Sequence, residues 1–115
     1  MTVKELYEHI GANYADVLGR LPSESMITRF VKMFPKDPSF SELKTAFENH
    51  DAKTAFRAAH TLKGICLNLS FDSLYKPTYE LTEALRGGNM DGTEGLYAAV
   101  EQEYNKIIAE LEKLD

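Results

Sequence analysis

Residues 51–69 read DAKTAFRAAHTLKGICLNL, and the periodicity of this stretch decides the fold. At about 100° per residue, Ala55, Ala59, Leu62, Ile65, Cys66 and Leu69 fall on one arc, the spacing of an amphipathic helix with one face turned to a core. Asp51 precedes the arc as a helix N-cap, a short acceptor for the free backbone N–H groups of the first turn. His60 lies roughly opposite the arc. Lys53, Phe56, Arg57, Lys63, Gly64 and Leu67 share its strip at three-, four- and seven-residue spacings. A solvated strip has no need of Phe56 or Leu67, and a glycine in a helix interior costs about 1 kcal/mol relative to alanine.

The same recurrence of apolar residues continues on both sides, and no stretch alternates over the length of a strand, so the pattern is all-α. Short helices are expected over about 2–10 and 12–20, divided by Gly11 and closed by Pro22. Ser23 caps a third, in which Met26, Ile27, Phe30, Val31 and Phe34 form a stripe that stops before Pro35. Pro38 and Ser39 open a helix with Phe40, Leu43, Ala46 and Phe47 on one face, ended by Asn49-His50-Asp51. Beyond Leu69, either Ser70 or Asp72 starts a helix that runs to Arg86 and the Gly87-Gly88 stop. Pro77 inside it predicts a kink or a later start, because proline lacks the amide donor and crowds the preceding turn. The last helix, about 92–114, carries Leu96, Val100, Tyr104, Ile107, Ile108, Leu111 and Leu114. Breaks this short leave successive helices side by side. The expected architecture is an antiparallel up-and-down four-helix bundle over about 38–114, with additional short N-terminal helices, about 2–34, packed on it in one domain of residues 1–115.

Composition bounds the function. With 115 residues, 43% hydrophobic and 27% charged, the chain can bury a core without metal or disulfide staples. A net charge of -5 opposes binding to nucleic acid or to anionic membranes, both of which reward a basic surface. No apolar run approaches the roughly 18 residues of a membrane span, and the opening residues lack a signal-peptide layout, so the cytoplasm is the expected location. The single cysteine, Cys66, lies on the core arc and reads as a small buried hydrophobe. Met26, Met33, Tyr97 and Tyr104 read as packing residues, and His9 and His50 as solvated surface histidines.

His60 differs from those two in its company. Imidazole keeps an unprotonated ring nitrogen near neutral pH and is nucleophilic towards phosphorus. Lys63, with Arg57 and Lys53, can set positive charge beside phosphoryl oxygens. Gly64, one turn on, leaves room for a phosphorylated ring and for an approaching protein. Phe56 and Leu67 are apolar positions among charges, the pattern of a docking surface. No His, Cys or carboxylate stands three or four residues from His60 to share a metal.

The run Ala59-His60-Thr61-Leu62-Lys63-Gly64, followed by Asn68-Leu69 and Leu74, resembles the signature of the histidine phosphotransfer (HPt) domain family. The resemblance implies a carrier whose histidine exchanges a phosphoryl group with the aspartyl phosphate of a response-regulator receiver domain. The receiver then supplies magnesium and most catalytic groups, the carrier needs no cofactor, and a hybrid sensor histidine kinase stands among its partners. On that pattern His60 is the phosphoacceptor, Lys63 attends the oxygens and Gly64 gives clearance. Thr82 falls where the family often has a polar residue near the histidine, and joins Lys53, Phe56, Arg57 and Leu67 as a partner contact. Ile65-Cys66-Leu67 and Ser70 depart from the family, which favours small residues and glycine there. Without a Gly-rich phosphate loop the chain cannot use ATP unaided, so it is not a kinase, and a monomer is expected. The alternative is a non-phosphorylated helical adaptor that docks a receiver or another protein through the same face.

Overall fold

Short polar side chains set the starts of most helices. In the computed structural model, which describes residues 1–114, they are α1 (Val3–His9), α2 (Tyr14–Arg20), α3 (Glu24–Met33), α4 (Ser39–Glu48), α5 (Ala52–Leu69), α6 (Asp72–Leu85) and α7 (Glu94–Leu111). Thr2 and Glu5 form a reciprocal capping box on α1, Asn13 accepts from the Asp16 amide, Ser23 from the Met26 amide and Asp51 from the Thr54 amide. Each satisfies an N–H group that has no partner within the helix. Among the described residues there is no strand.

Helices α4 to α7 form the antiparallel bundle. Asn49–Asp51 and Ser70–Phe71 are too short to let consecutive helices separate, so α4 packs on α5 and α5 on α6, with α7 returning along α6. Aromatic rings close the ring of helices: Phe40 of α4 stacks on Tyr104 of α7 at 4.1 Å between centroids, and Phe47 stacks on Tyr97 at 4.5 Å. Leu43, Leu62, Leu74, Leu81, Leu85 and Ile107 fill the interior and are almost wholly buried.

The N-terminal helices close one end of the bundle, at the turn between α5 and α6. Tyr7 of α1 donates its hydroxyl to the Leu69 carbonyl at 2.7 Å, one of the carbonyls that the end of α5 leaves free. Phe71 in the same turn packs against both Tyr7 and Phe34. Ser70 takes a left-handed conformation, φ 58°, where glycine is the usual residue. Its buried hydroxyl donates to Asp16 of α2 at 2.7 Å and accepts from Arg20, which itself pairs with Asp16 at 2.9 Å. The side chain that makes the conformation costly also ties α2 to the end of α5.

Of the two starts open to α6, Asp72 is the one taken, and Ser70 belongs to the C-cap of α5. Other expectations need correction. Pro77 sits within α6 without delaying its start. The α3 stripe passes into a 3-10 turn, Phe34–Lys36, that accommodates Pro35 near its beginning. Ile65 is only half-buried, and Ala58 takes the inward position beside Ala55, Ala59, Leu62, Cys66 and Leu69. Met33 is 55% exposed and so is no core residue.

Candidate functional site

Ala58, Ala59 and Leu62 pin α5 to the core, and this phase leaves His60 exposed midway along the helix. Its ring lies nearly parallel to that of Phe56, one turn earlier, with centroids 6.0 Å apart and planes 16° apart. Phe56 is half-buried, and Arg86, the C-cap residue of α6, sets its guanidinium carbon 5.1 Å from the centre of the ring. Arg86 is gripped in turn by Glu83, whose carboxylate accepts from Nε at 3.1 Å and Nη2 at 2.7 Å. The hydrogen bond from Arg86 holds the Glu83 carboxyl below the usual carboxylate range, and the charges of Arg86, Lys63 and His60 act in the same direction.

Lys63 extends over the ring of Tyr79, its ammonium nitrogen 5.6 Å from the centroid. Tyr79 is itself 45% exposed. Lys63 and Arg86 therefore each rest on an aromatic ring, and each contact joins α5 to α6 or its C-cap. Lys53 and Arg57 are exposed, and their charges are felt at Asp51, whose carboxyl is held low chiefly by hydrogen bonds from the Thr54 hydroxyl and amide.

Gly64 is exposed, and a Cβ built on it would meet nothing within 4 Å. No neighbour in the fold needs the glycine. It borders an open groove of about 480 Å³ shared with Thr61, Leu67 and, from α2, Arg20. Leu67 is 47% exposed, so its side chain faces outward instead of packing on a neighbouring helix. Ile65 and Asn68 continue from this groove into a second, largely apolar one that reaches Phe30 and Met33 of α3.

Thr82 does not belong to this surface. It is fully buried and spends its hydroxyl on the Thr78 carbonyl at 2.7 Å, so it cannot touch a docked protein. The phase of α6 turns Leu74, Thr78, Leu81, Thr82 and Leu85 inward. Tyr79, Glu83 and Arg86, at four- and three-residue steps, make the outward strip beside His60 instead. That spacing is present in the sequence, but nothing in α6 alone says which of its strips lies next to α5.

Cys66 is buried, and burial pushes its thiol far above the ordinary range. Among the described residues no three His, Cys or carboxylate side chains gather to hold a metal, and no helix is long and apolar enough to cross a membrane.

What the arrangement offers chemically is a solvent-exposed imidazole on a helix pinned to the core, with free space one turn along at Gly64. A family model described as Hpt domain matches residues 25–112, which takes in α4 to α7 and nearly all of α3. Comparison with curated proteins and with solved structures found no match.

Proposed function

This chain belongs to the Hpt domain family, and we propose that it carries a phosphoryl group on His60 between receiver domains. Hpt domains are histidine phosphotransfer modules of phosphorelays; they interact with receiver domains and are phosphocarriers, not kinases. In the proposed reaction an unprotonated ring nitrogen of His60 attacks the phosphorus of the receiver's aspartyl phosphate in line. The new N–P bond forms as the P–O bond breaks, and the aspartate carboxylate leaves with the bonding pair. Return to a second receiver reverses the step. Magnesium and most of the groups around phosphorus come from the receiver.

The roles on this side are positional. Ala58, Ala59 and Leu62 fix the helix, so the imidazole is presented without a large ordering cost on docking. Lys63, resting on Tyr79, is placed to swing towards a phosphoryl oxygen, and Gly64 admits the phosphorylated ring and the receiver's loops. Leu67 and Phe56, with the charged Lys53 and Arg57 beyond them, serve as docking contacts. The observation that carries the reading is Gly64: an exposed helical glycine, one turn from an exposed histidine, that no packing within the chain explains. In this reading the chain acts as a monomer in the cytoplasm and exchanges its phosphoryl group with receivers and with a hybrid sensor histidine kinase.

The test is to incubate the chain with a phosphorylated receiver and magnesium, then follow label that survives base and is lost in acid, as a phosphoramidate does. His60→Gln should abolish it. Equal labelling of that variant refutes the proposal. Receivers that bind the chain but never label it point to the adaptor instead.

A further inference from the structure

We propose that Glu83 is a positioning residue that sets how long His60 stays phosphorylated, by holding Arg86 on the Phe56 ring and presenting a carboxylate to the phosphoryl group. The inference rests on His60 being the phosphoacceptor. Three contacts link four side chains from α5 to the end of α6: the His60 ring lies nearly parallel to Phe56, Arg86 stands over the same Phe56 ring, and Glu83 grips Arg86 with two hydrogen bonds. Before phosphorylation Arg86 is already neutralised by Glu83. A dianionic phosphoryl group on His60 changes that balance, because it attracts the guanidinium and repels the carboxylate.

The sign of the effect follows from the hydrolysis. A water oxygen bonds to phosphorus as the N–P bond breaks, the ring nitrogen keeps the bonding pair and takes a proton, and inorganic phosphate leaves. A nearby carboxylate favours protonation of the ring and so speeds the loss; a nearby cation opposes it. Glu83 and Arg86 act in opposite directions on one atom, and each also limits the other. Lys63 on the Tyr79 ring, and Arg57 and Lys53 on α5, add a positive background that stays constant when only the α6 pair is changed.

Phosphoramidate, which phosphorylates accessible histidines without a receiver, supplies the test. His9 and His50 are exposed and are replaced by glutamine throughout, so the phosphohistidine signal in the ³¹P spectrum belongs to His60. Glu83→Gln should lengthen the phosphohistidine lifetime about threefold, and Arg86→Gln should shorten it by a similar factor, as for exposed charge pairs. The double variant should return near the starting value, Glu83→Asp should stay close to it, and 1 M salt should shrink every difference. Lifetimes unchanged by Glu83→Gln, or differences indifferent to salt, overturn the inference. A chain that phosphorylates chemically with these lifetimes yet never exchanges with a receiver sinks the phosphorelay reading alone. One that exchanges while ignoring Glu83 sinks this inference alone, and one that takes no phosphoryl group at His60 ends both.

Discussion

Replacing Gly64 by alanine and then by glutamine should make the fold more stable while making phosphoryl transfer slower. The position is helical, exposed and free of any neighbour within 4 Å of a new Cβ. Nothing then offsets the gain in helix propensity, about 1 kcal/mol for alanine and about half of that for glutamine. For a chain of this size 1 kcal/mol raises the melting temperature by about 4 °C. In urea the midpoint should rise with an unchanged slope, since no surface is newly buried or exposed. Transfer responds in the opposite sense. A glutamine side chain would occupy the groove beside Thr61 and Leu67, and overpacking of about 1–3 kcal/mol at a docked interface corresponds to a loss between about fivefold and 150-fold. Alanine should lose less. Urea denaturation and a single-turnover transfer rate on the same preparations decide the matter. If both variants are destabilised, the glycine serves the fold; if both are stabilised and transfer at the unaltered rate, clearance is not its role.

Tyr7→Phe removes the donor to the Leu69 carbonyl and leaves a buried acceptor unpaired, so urea denaturation should show a loss of about 1–3 kcal/mol. An unchanged midpoint would mean that the carbonyl finds another donor. At Ser70, glycine would relieve the left-handed backbone while losing the link to Asp16 and Arg20, whereas alanine loses the link and keeps the strain. Ser70→Ala should therefore melt below Ser70→Gly, and the reverse order would deny the strain any weight. Hydrogen bonds to Asp51 from Thr54, and to Asp16 from Ser70 and Arg20, hold both carboxyls below their ordinary range. A depressed folded pKa gives stability that is complete above the unfolded value, near pH 4, and is lost as pH falls through the folded one. Asp51→Asn keeps an N-cap acceptor without the titration, so its stability should fall less steeply below pH 4. A slope equal to that of the unaltered chain would remove Asp51 from the acid response.

Local patterns in the sequence carry much of the fold. Ser23 and Asp51 cap the helices whose starts they mark, and α5 buries Ala55, Ala59, Leu62, Cys66 and Leu69 as their spacing requires. Periodicity places His60 outward because a helix with one apolar face has one opposite face. Its limits are lateral. Ile65 lies at the edge of the arc, where a few degrees of helix rotation decide between core and groove, and it is half-buried. Thr82 is a partner contact only by family pattern, which carries no phase, and the packing of α6 buries it. Arg86, Glu83 and Tyr79 escape a reading of the sequence because their meaning depends on which side of α6 meets α5, a fact of tertiary packing. Ser70 stands where a glycine suits the left-handed cap; its partner on α2 lies some fifty residues away, and no local pattern could supply it.

Of the three histidines, His60 alone should take the phosphoryl group. Labelling the histidine ring nitrogens with ¹⁵N and phosphorylating the chain from a phosphorylated receiver makes the modified ring visible by NMR. One-bond nitrogen–phosphorus coupling is expected at a single imidazole, that of His60, with the His9 and His50 ring signals unmoved. Coupling at either of those two, with His60 left unmodified, would contradict the assignment of His60 as the carrier.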